Sequence, residues 1–292
     1  MKKPELNNLA ITQLRYSFLC LLGFKQKANL LYKYLFKKNR DYHDNLISSY
    51  LNENSEYWIF GDLLLKKYNN YWSYYEAIHH CEDILMSDRY YQSKNPIDFF
   101  IAGINEGPYE NKYVQISEND VIIDAGANIG IFSLLALKKG AKKIYSFEPN
   151  IKTFETLEEN IRLNSGEKII EPIQKGLFDK KDSSQFIESG GGSRIVGLME
   201  SIEGDTTTIS LISLDEFVQE NNIKRVNFIK ADIEGSERFM LKGAAETIRK
   251  YHPKLSICTY HLPDDKEILT KIILDIDNSY KFRYSKSKLF AW

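Results

Sequence analysis

Cysteine is scarce in this chain: three in 292 residues, Cys20, Cys81 and Cys258, far apart and without a CxxC pair. That excludes a disulfide framework or a thiolate zinc site as an organising feature and fits a reducing, cytoplasmic compartment. Net charge is almost absent too. Thirty-nine Lys and Arg against 40 Asp and Glu leave −1, which removes the global electrostatic case for nucleic acid. No apolar run approaches the ~20 residues that cross a bilayer. The best candidate, FLCLLGF at 18–24, follows Lys2 and Lys3. However, PELNNLAITQLRY separates it from the lysines, Arg15 sits close by, and no small-x-small cleavage site follows, so it reads as the buried stripe of a helix. Hydrophobic residues make up 43% of the chain, enough for one large domain or two unequal ones.

Residues 1–95 hold almost no glycine or strand pattern. Leu30, Leu31, Tyr34 and Leu35 have helical spacing, and YNNYWSYYEAIHH packs aromatics densely. This predicts an N-terminal helical region that forms a core or a homodimer surface; the alternative is an aromatic wall for a ring-shaped substrate. His79 and His80 are adjacent, so on a helix they face different ways and make a poor metal pair. From about residue 112 strands and helices alternate, which predicts a second domain over 96–292. Its class is α/β, a mostly parallel sheet covered on both faces. Ligands of such sheets sit beyond the carboxyl ends of the strands.

At that edge the first strand runs into a turn, VIIDAGANIG at 121–130. Gly126 and Gly130 permit positive φ and close approach of a ligand, and Asn128 tolerates the left-handed region. The dinucleotide pattern GxGxxG is not met. Asp124 beside the turn would repel a pyrophosphate but suit an ammonium group. A ligand with adenosine, an ammonium and a carboxylate is S-adenosylmethionine. Glu148, in FEP at the end of the next strand, is placed to take both ribose hydroxyls.

Together, VIIDAGANIGIFSLLA, YSFEPNIKTFETLEENIRLN, ISLDEF, VNFIKADIEGSERFMLKGA and HPKLSICTYH resemble, in order and spacing, the FkbM-type methyltransferase family. The resemblance covers about 111–261, with an extension toward the C-terminus as the further expectation, and not residues 1–95. The resemblance implies a Rossmann-like class I methyltransferase fold with a seven-stranded sheet. It also implies S-adenosyl-L-methionine as cofactor and O-methylation of antibiotics, sugars or other small metabolites. A sugar acceptor is expected, nucleotide-activated or part of a cell-surface polysaccharide. The alternatives are another metabolite or an amine, and, further off, an NAD-dependent oxidoreductase. Nucleic acid is not expected as acceptor, since no Asn-Pro-Pro-Tyr motif occurs.

The cofactor-binding set is therefore Asp124, Gly126, Asn128, Gly130, Glu148, Pro149, Gly176 and Asp232. For catalysis, an alcohol acceptor needs a base as its proton leaves. His261 is assigned that role, with Asp232 or Glu234 orienting it. Lys230, on the strand, faces either one of these acids or the acceptor. Glu237 is assigned to helix capping. A divalent cation on Asp232, Glu234 and His261 is the alternative and is not favoured, so no metal is expected. Arg194, after the glycines of ESGGGSRIVG, and Tyr260 are expected on the acceptor side.

Overall fold

The computed structural model describes residues 51–53, 57–60, 63–66, 109–188, 194–195, 205–285 and 287–292. Near the N-terminus β1 (Leu51–Glu53), β2 (Tyr57–Phe60) and β3 (Leu63–Lys66) form an antiparallel sheet in that order. This corrects the expectation of a purely helical region over 1–95. YWIF and LLLK flank a Gly-Asp dipeptide, and the register Phe60↔Leu63 leaves just those two residues to connect the strands. Gly-Asp between two apolar runs is a hairpin signal that helical spacing elsewhere obscured. The helical expectations for 18–35 and 68–80 lie outside the described residues.

The main sheet has the expected seven strands. β4 (Val121–Ala125), β5 (Lys143–Phe147), β6 (Ile170–Ile173), β11 (Phe228–Ala231) and β12 (Lys254–Cys258) are parallel, in the order β6-β5-β4-β11-β12. β14 (Lys288–Ala291) then pairs antiparallel with β12, and β13 (Phe282–Tyr284) closes the edge. Successive residues of a strand face opposite sides, and here each side has its own core. Ile122, Ile144, Phe228 and Phe290 pack against α1 (Ile131–Lys138) and α2 (Ile151–Leu163). Ile123, Phe147, Ile229 and Leu255 pack against α3 (Leu214–Glu220), α4 (Glu237–Lys242), α5 (Ala245–Tyr251) and α6 (Asp265–Ile276). The two helices at 237–251 read in sequence as one. They break at Gly243, where a Cβ would come within 2.1 Å of the Phe178 carbonyl oxygen.

The segment between the third and fourth parallel strands builds a separate four-stranded sheet. It contains β7 (Gly176–Phe178), β8 (Asp182–Glu188), β9 (Arg194–Ile195) and β10 (Asp205–Ser213), in the order β7-β10-β8-β9. Ser213 then starts α3 with a capping box, its hydroxyl accepting from the Glu216 N–H while Glu216 reaches back.

Candidate active site

Four loops meet beyond the carboxyl edge of the main sheet. They follow β4, β5, β11 and β12, and they carry most of the residues singled out by sequence. The turn after β4 has the expected backbone: Gly126, Asn128 and Gly130 have φ of 76°, 50° and 93°. Gly126 has a further reason to be glycine. A Cβ there would lie 2.0 Å from the carbonyl oxygen of Asp232. The glycine turn and the acidic loop after β11 therefore sit back to back.

Asp124 is not where the sequence placed it. It is wholly buried beneath the turn, and alternation explains why. It points to the same face as Ile122, toward α1, and strand register sets Ser146 and Lys230 on either side of it. Ser133 of α1 donates to Asp124 Oδ2 at 2.6 Å and lies 2.7 Å from Ser146 Oγ. The Lys230 ammonium is 3.0 Å from Asp124 Oδ1. The ammonium beside Asp124 thus belongs to the protein, and Asp124 is not free for a ligand. Burial works to lower the Lys230 pKa, but Asp124 and Asp232 outweigh it and raise it. Lys230 also donates to the Gly126 carbonyl at 2.6 Å, so it braces the turn from below; its ion-pair partner is Asp124, not one of the acids of the loop after β11.

Glu148 stands beside the turn. Its Oε2 accepts from the Asn128 N–H at 3.0 Å and its Oε1 from the Asn150 N–H at 2.9 Å. Burial raises its pKa to about 7 against the pull of those two amides. Each oxygen retains a second lone pair, which suits a pair of vicinal hydroxyls. Pro149 follows directly. A Cβ on Gly176, the first residue of β7, would come within 3.9 Å of Pro149, so β7 starts next to the loop after β5.

The acid cluster forms around His261, whose side chain is only 3% exposed. Asp232 Oδ1 and Glu234 Oε2 lie 3.5 and 3.4 Å from Nε2, and Glu237 Oε1 lies 2.9 Å from Nδ1. Neither ring nitrogen meets full hydrogen-bond geometry with these carboxylates. Burial favours the neutral ring, yet Glu234 and Glu237 overcome it and push the pKa up to about 10. Glu237 is more than a cap: wholly buried, it accepts from the Ile233 and Gly235 N–H groups and folds the loop around Glu234, which has φ 52°. Asp232 accepts from the phenols of Tyr109 at 2.7 Å and Tyr260 at 3.0 Å. Its burial opposes ionisation, but Lys230, Tyr109 and His261 prevail and hold its pKa below the ordinary value. Tyr260 is otherwise exposed and packs on His261 with ring centroids 4.1 Å apart.

Asp232, Glu237 and His261 bring one ligand atom each within 4.8 Å of one another, a donor set that a divalent cation accepts. Competing with such an ion, Asp232 already takes two phenols and Glu237 two backbone amides. Arg194 lies in β9 at the far edge of the second sheet, and the glycines before it lie outside the described residues.

The sequence pattern did not single out Tyr109, Lys288 or Asn160. Asn160 of α2 donates to the Ile129 carbonyl in the glycine turn and accepts from the Lys66 N–H, both at 2.8 Å. It ties β3 to the turn, and nothing in its local sequence signals a partner 94 residues away.

A mostly parallel sheet with a glycine-bearing first turn and an acid closing the second strand defines an α/β protein of the kind that binds ligands at the carboxyl edge of its sheet. Comparison with known proteins narrows the class. The Methyltransferase FkbM domain matches residues 124–284. "Hexuronic acid methyltransferase AglP" of Haloferax volcanii is 31% identical over 163 residues, 54% of this chain and 63% of that protein. "Methyltransferase 1" of Beauveria bassiana is 29% identical over 148 residues, 43% of this chain and 59% of that protein. The chain thus spans less than two thirds of the length of these curated relatives. The crystal structure of Methyltransferase FkbM from Methylobacillus flagellatus superposes with a TM-score of 0.49 and 22% identity, covering 73% of this chain and 55% of that one. The protein belongs to the FkbM methyltransferase family.

Proposed function

We propose that this protein is an S-adenosylmethionine-dependent O-methyltransferase acting on a hydroxyl of a sugar, nucleotide-activated or in a polysaccharide precursor. The observation that carries the reading is the back-to-back contact of the glycine turn with the Asp232 loop. It sets the glycine turn directly against a cluster of proton-accepting groups, which supports a cofactor on one side and an acceptor on the other. Glu148 would take the ribose hydroxyls, and the turn of Gly126, Asn128 and Gly130 would pass close beneath the cofactor, with Pro149 and Gly176 closing that end. Similarity to a hexuronic acid methyltransferase supports a sugar acceptor.

When bound, S-adenosylmethionine supplies an electrophilic methyl group on a sulfonium. The protein's part is to align the acceptor oxygen and receive its proton. His261 is a poor base in this setting, because an imidazole pushed up to about 10 is already protonated at neutral pH. Asp232 takes the role instead. Its Oδ1 faces the exposed Tyr260, whose phenol occupies the place an acceptor hydroxyl would use. A carboxylate of low pKa suffices, since the hydroxyl proton becomes strongly acidic as the new C–O bond forms. The products would be the methyl ether, neutral S-adenosylhomocysteine released as the S–CH₃ bond breaks, and a protonated Asp232, which then yields its proton to solvent. His261, as imidazolium, holds Asp232 and Glu234 against mutual repulsion.

Calorimetric titration with S-adenosylhomocysteine, with NAD in parallel, tests the cofactor. Micromolar binding of the first alone is expected; binding of NAD alone overturns the reading. Transfer of a labelled methyl group from S-adenosylmethionine to a panel of hexuronic acids, neutral sugars and their nucleotide derivatives then tests the acceptor.

A further inference from the structure

We infer that Lys288 anchors a negatively charged group of the acceptor. The inference rests on the sugar-methylating reading and deepens it. β14 runs antiparallel to β12, so its first residue, Lys288, pairs with the last residue of β12, Cys258. The C-terminal strand thereby delivers a lysine to the same edge as Tyr260 and His261. The Lys288 ammonium lies over the ring of Tyr109, 4.8 Å from its centroid. The same tyrosine gives its hydroxyl to Asp232 at 2.7 Å. Lys288 and Asp232 are therefore separated by one aromatic ring, about the span of one sugar.

The other cations at this edge are occupied. Lys230 is buried against Asp124, and His261 is surrounded by Asp232, Glu234 and Glu237. Lys288 is half-buried and has no carboxylate within ion-pair distance among the described residues. Its ammonium rests on a π face, which leaves its hydrogen-bond donors for a ligand. An acceptor that places a hydroxyl at Asp232 and an anion at Lys288 is a sugar acid or a sugar phosphate. A carboxylate and a phosphate both satisfy this chemistry.

The test uses the full chain saturated with S-adenosylhomocysteine, as wild type, Lys288→Gln, Lys288→Arg and the outer-helix control Lys271→Gln. Each is titrated with methyl glucuronide, UDP-glucose, UDP-glucuronate and neutral methyl glucoside. Lys288→Gln is expected to weaken anionic probes by about tenfold or more, the usual scale for a charge-assisted hydrogen bond. Lys288→Arg should restore much of this, and methyl glucoside and S-adenosylhomocysteine should bind all four proteins alike. Between methyl glucuronide and UDP-glucose, each with one kind of anionic group, loss confined to methyl glucuronide assigns the carboxylate; loss confined to UDP-glucose assigns the phosphate. Equal affinities in wild type and Lys288→Gln, or no anionic probe bound by wild type, overturn the inference. S-Adenosylhomocysteine binding, read in the same experiment, separates that outcome from failure of the cofactor assignment.

Discussion

Replacing Glu148 with Gln removes the one group beside the glycine turn that titrates near neutrality. Burial moves the Glu148 pKa from 4.5 to about 7, a shift worth about 3 kcal/mol. Between those two values the folded protein holds a proton that the unfolded chain has lost. Stability therefore falls as pH rises from 4.5 to 7, by about 3 kcal/mol in all, and levels off above. Paired ribose hydroxyls favour the ionised carboxylate, so cofactor affinity runs the other way. Roughly a tenth of Glu148 is ionised at pH 6 and roughly nine tenths at pH 8, so affinity should rise about tenfold between them. His261, pushed up to about 10, does not titrate in that interval. Glutamine abolishes both dependences. It also turns an amide NH₂ toward the Asn128 or Asn150 N–H, leaving one buried donor unsatisfied at a cost of about 1–3 kcal/mol. Glu148→Gln should thus be less stable than wild type at pH 5 and about equal to it at pH 8. Urea unfolding at both pH values and S-adenosylhomocysteine titration at pH 6 and 8 read these quantities. Equal wild-type affinity at pH 6 and 8 would refute the argument.

Three further outcomes follow from the same geometry. Gly126→Ala places a Cβ against the Asp232 carbonyl at a residue with φ 76°. It should lower S-adenosylhomocysteine affinity more than about tenfold, with cooperative unfolding retained; unchanged affinity would show that the contact is not needed. Lys230→Met leaves Asp124 buried without its cation and should cost about 3–5 kcal/mol by urea unfolding. Asp124→Asn combined with Lys230→Met should recover much of this, and simple additivity of the two losses would dismiss the pair. With the acceptor saturating, kcat should be flat from pH 6 to 8.5, and Asp232→Asn should lose about 10²-fold or more while keeping cofactor affinity. A limb in kcat near the ordinary histidine value would return the base to His261.

The turn was legible from sequence because its requirements are local. Positive φ at Gly126, Asn128 and Gly130 needs glycine or a residue such as Asn that tolerates the left-handed region, and those residues stand at alternate positions. The alternation of strands and helices along the chain, the Ser213 cap and Glu148 at the end of its strand are local in the same sense. The N-terminal hairpin has an equally local signal, Gly-Asp between two apolar runs, beside stretches of helical spacing. What each of these residues touches is another matter. Strands of a parallel sheet are apolar on both faces, so VIIDA does not say whether Asp124 points to a ligand or to α1. That follows from strand order, which sets β4 between β5 and β11 and brings Lys230 to Asp124 from 106 residues away. The same order surrounds His261 with three carboxylates and reverses its protonation, since a pKa answers to charges in space rather than in sequence. It also returns β14 antiparallel against β12, so that Lys288 arrives at the edge where the other strands end. The sequence by itself determined the turn, the acids and the alternation of strands and helices; only the tertiary structure decided which of those acids meet a cation and which remain open to a ligand.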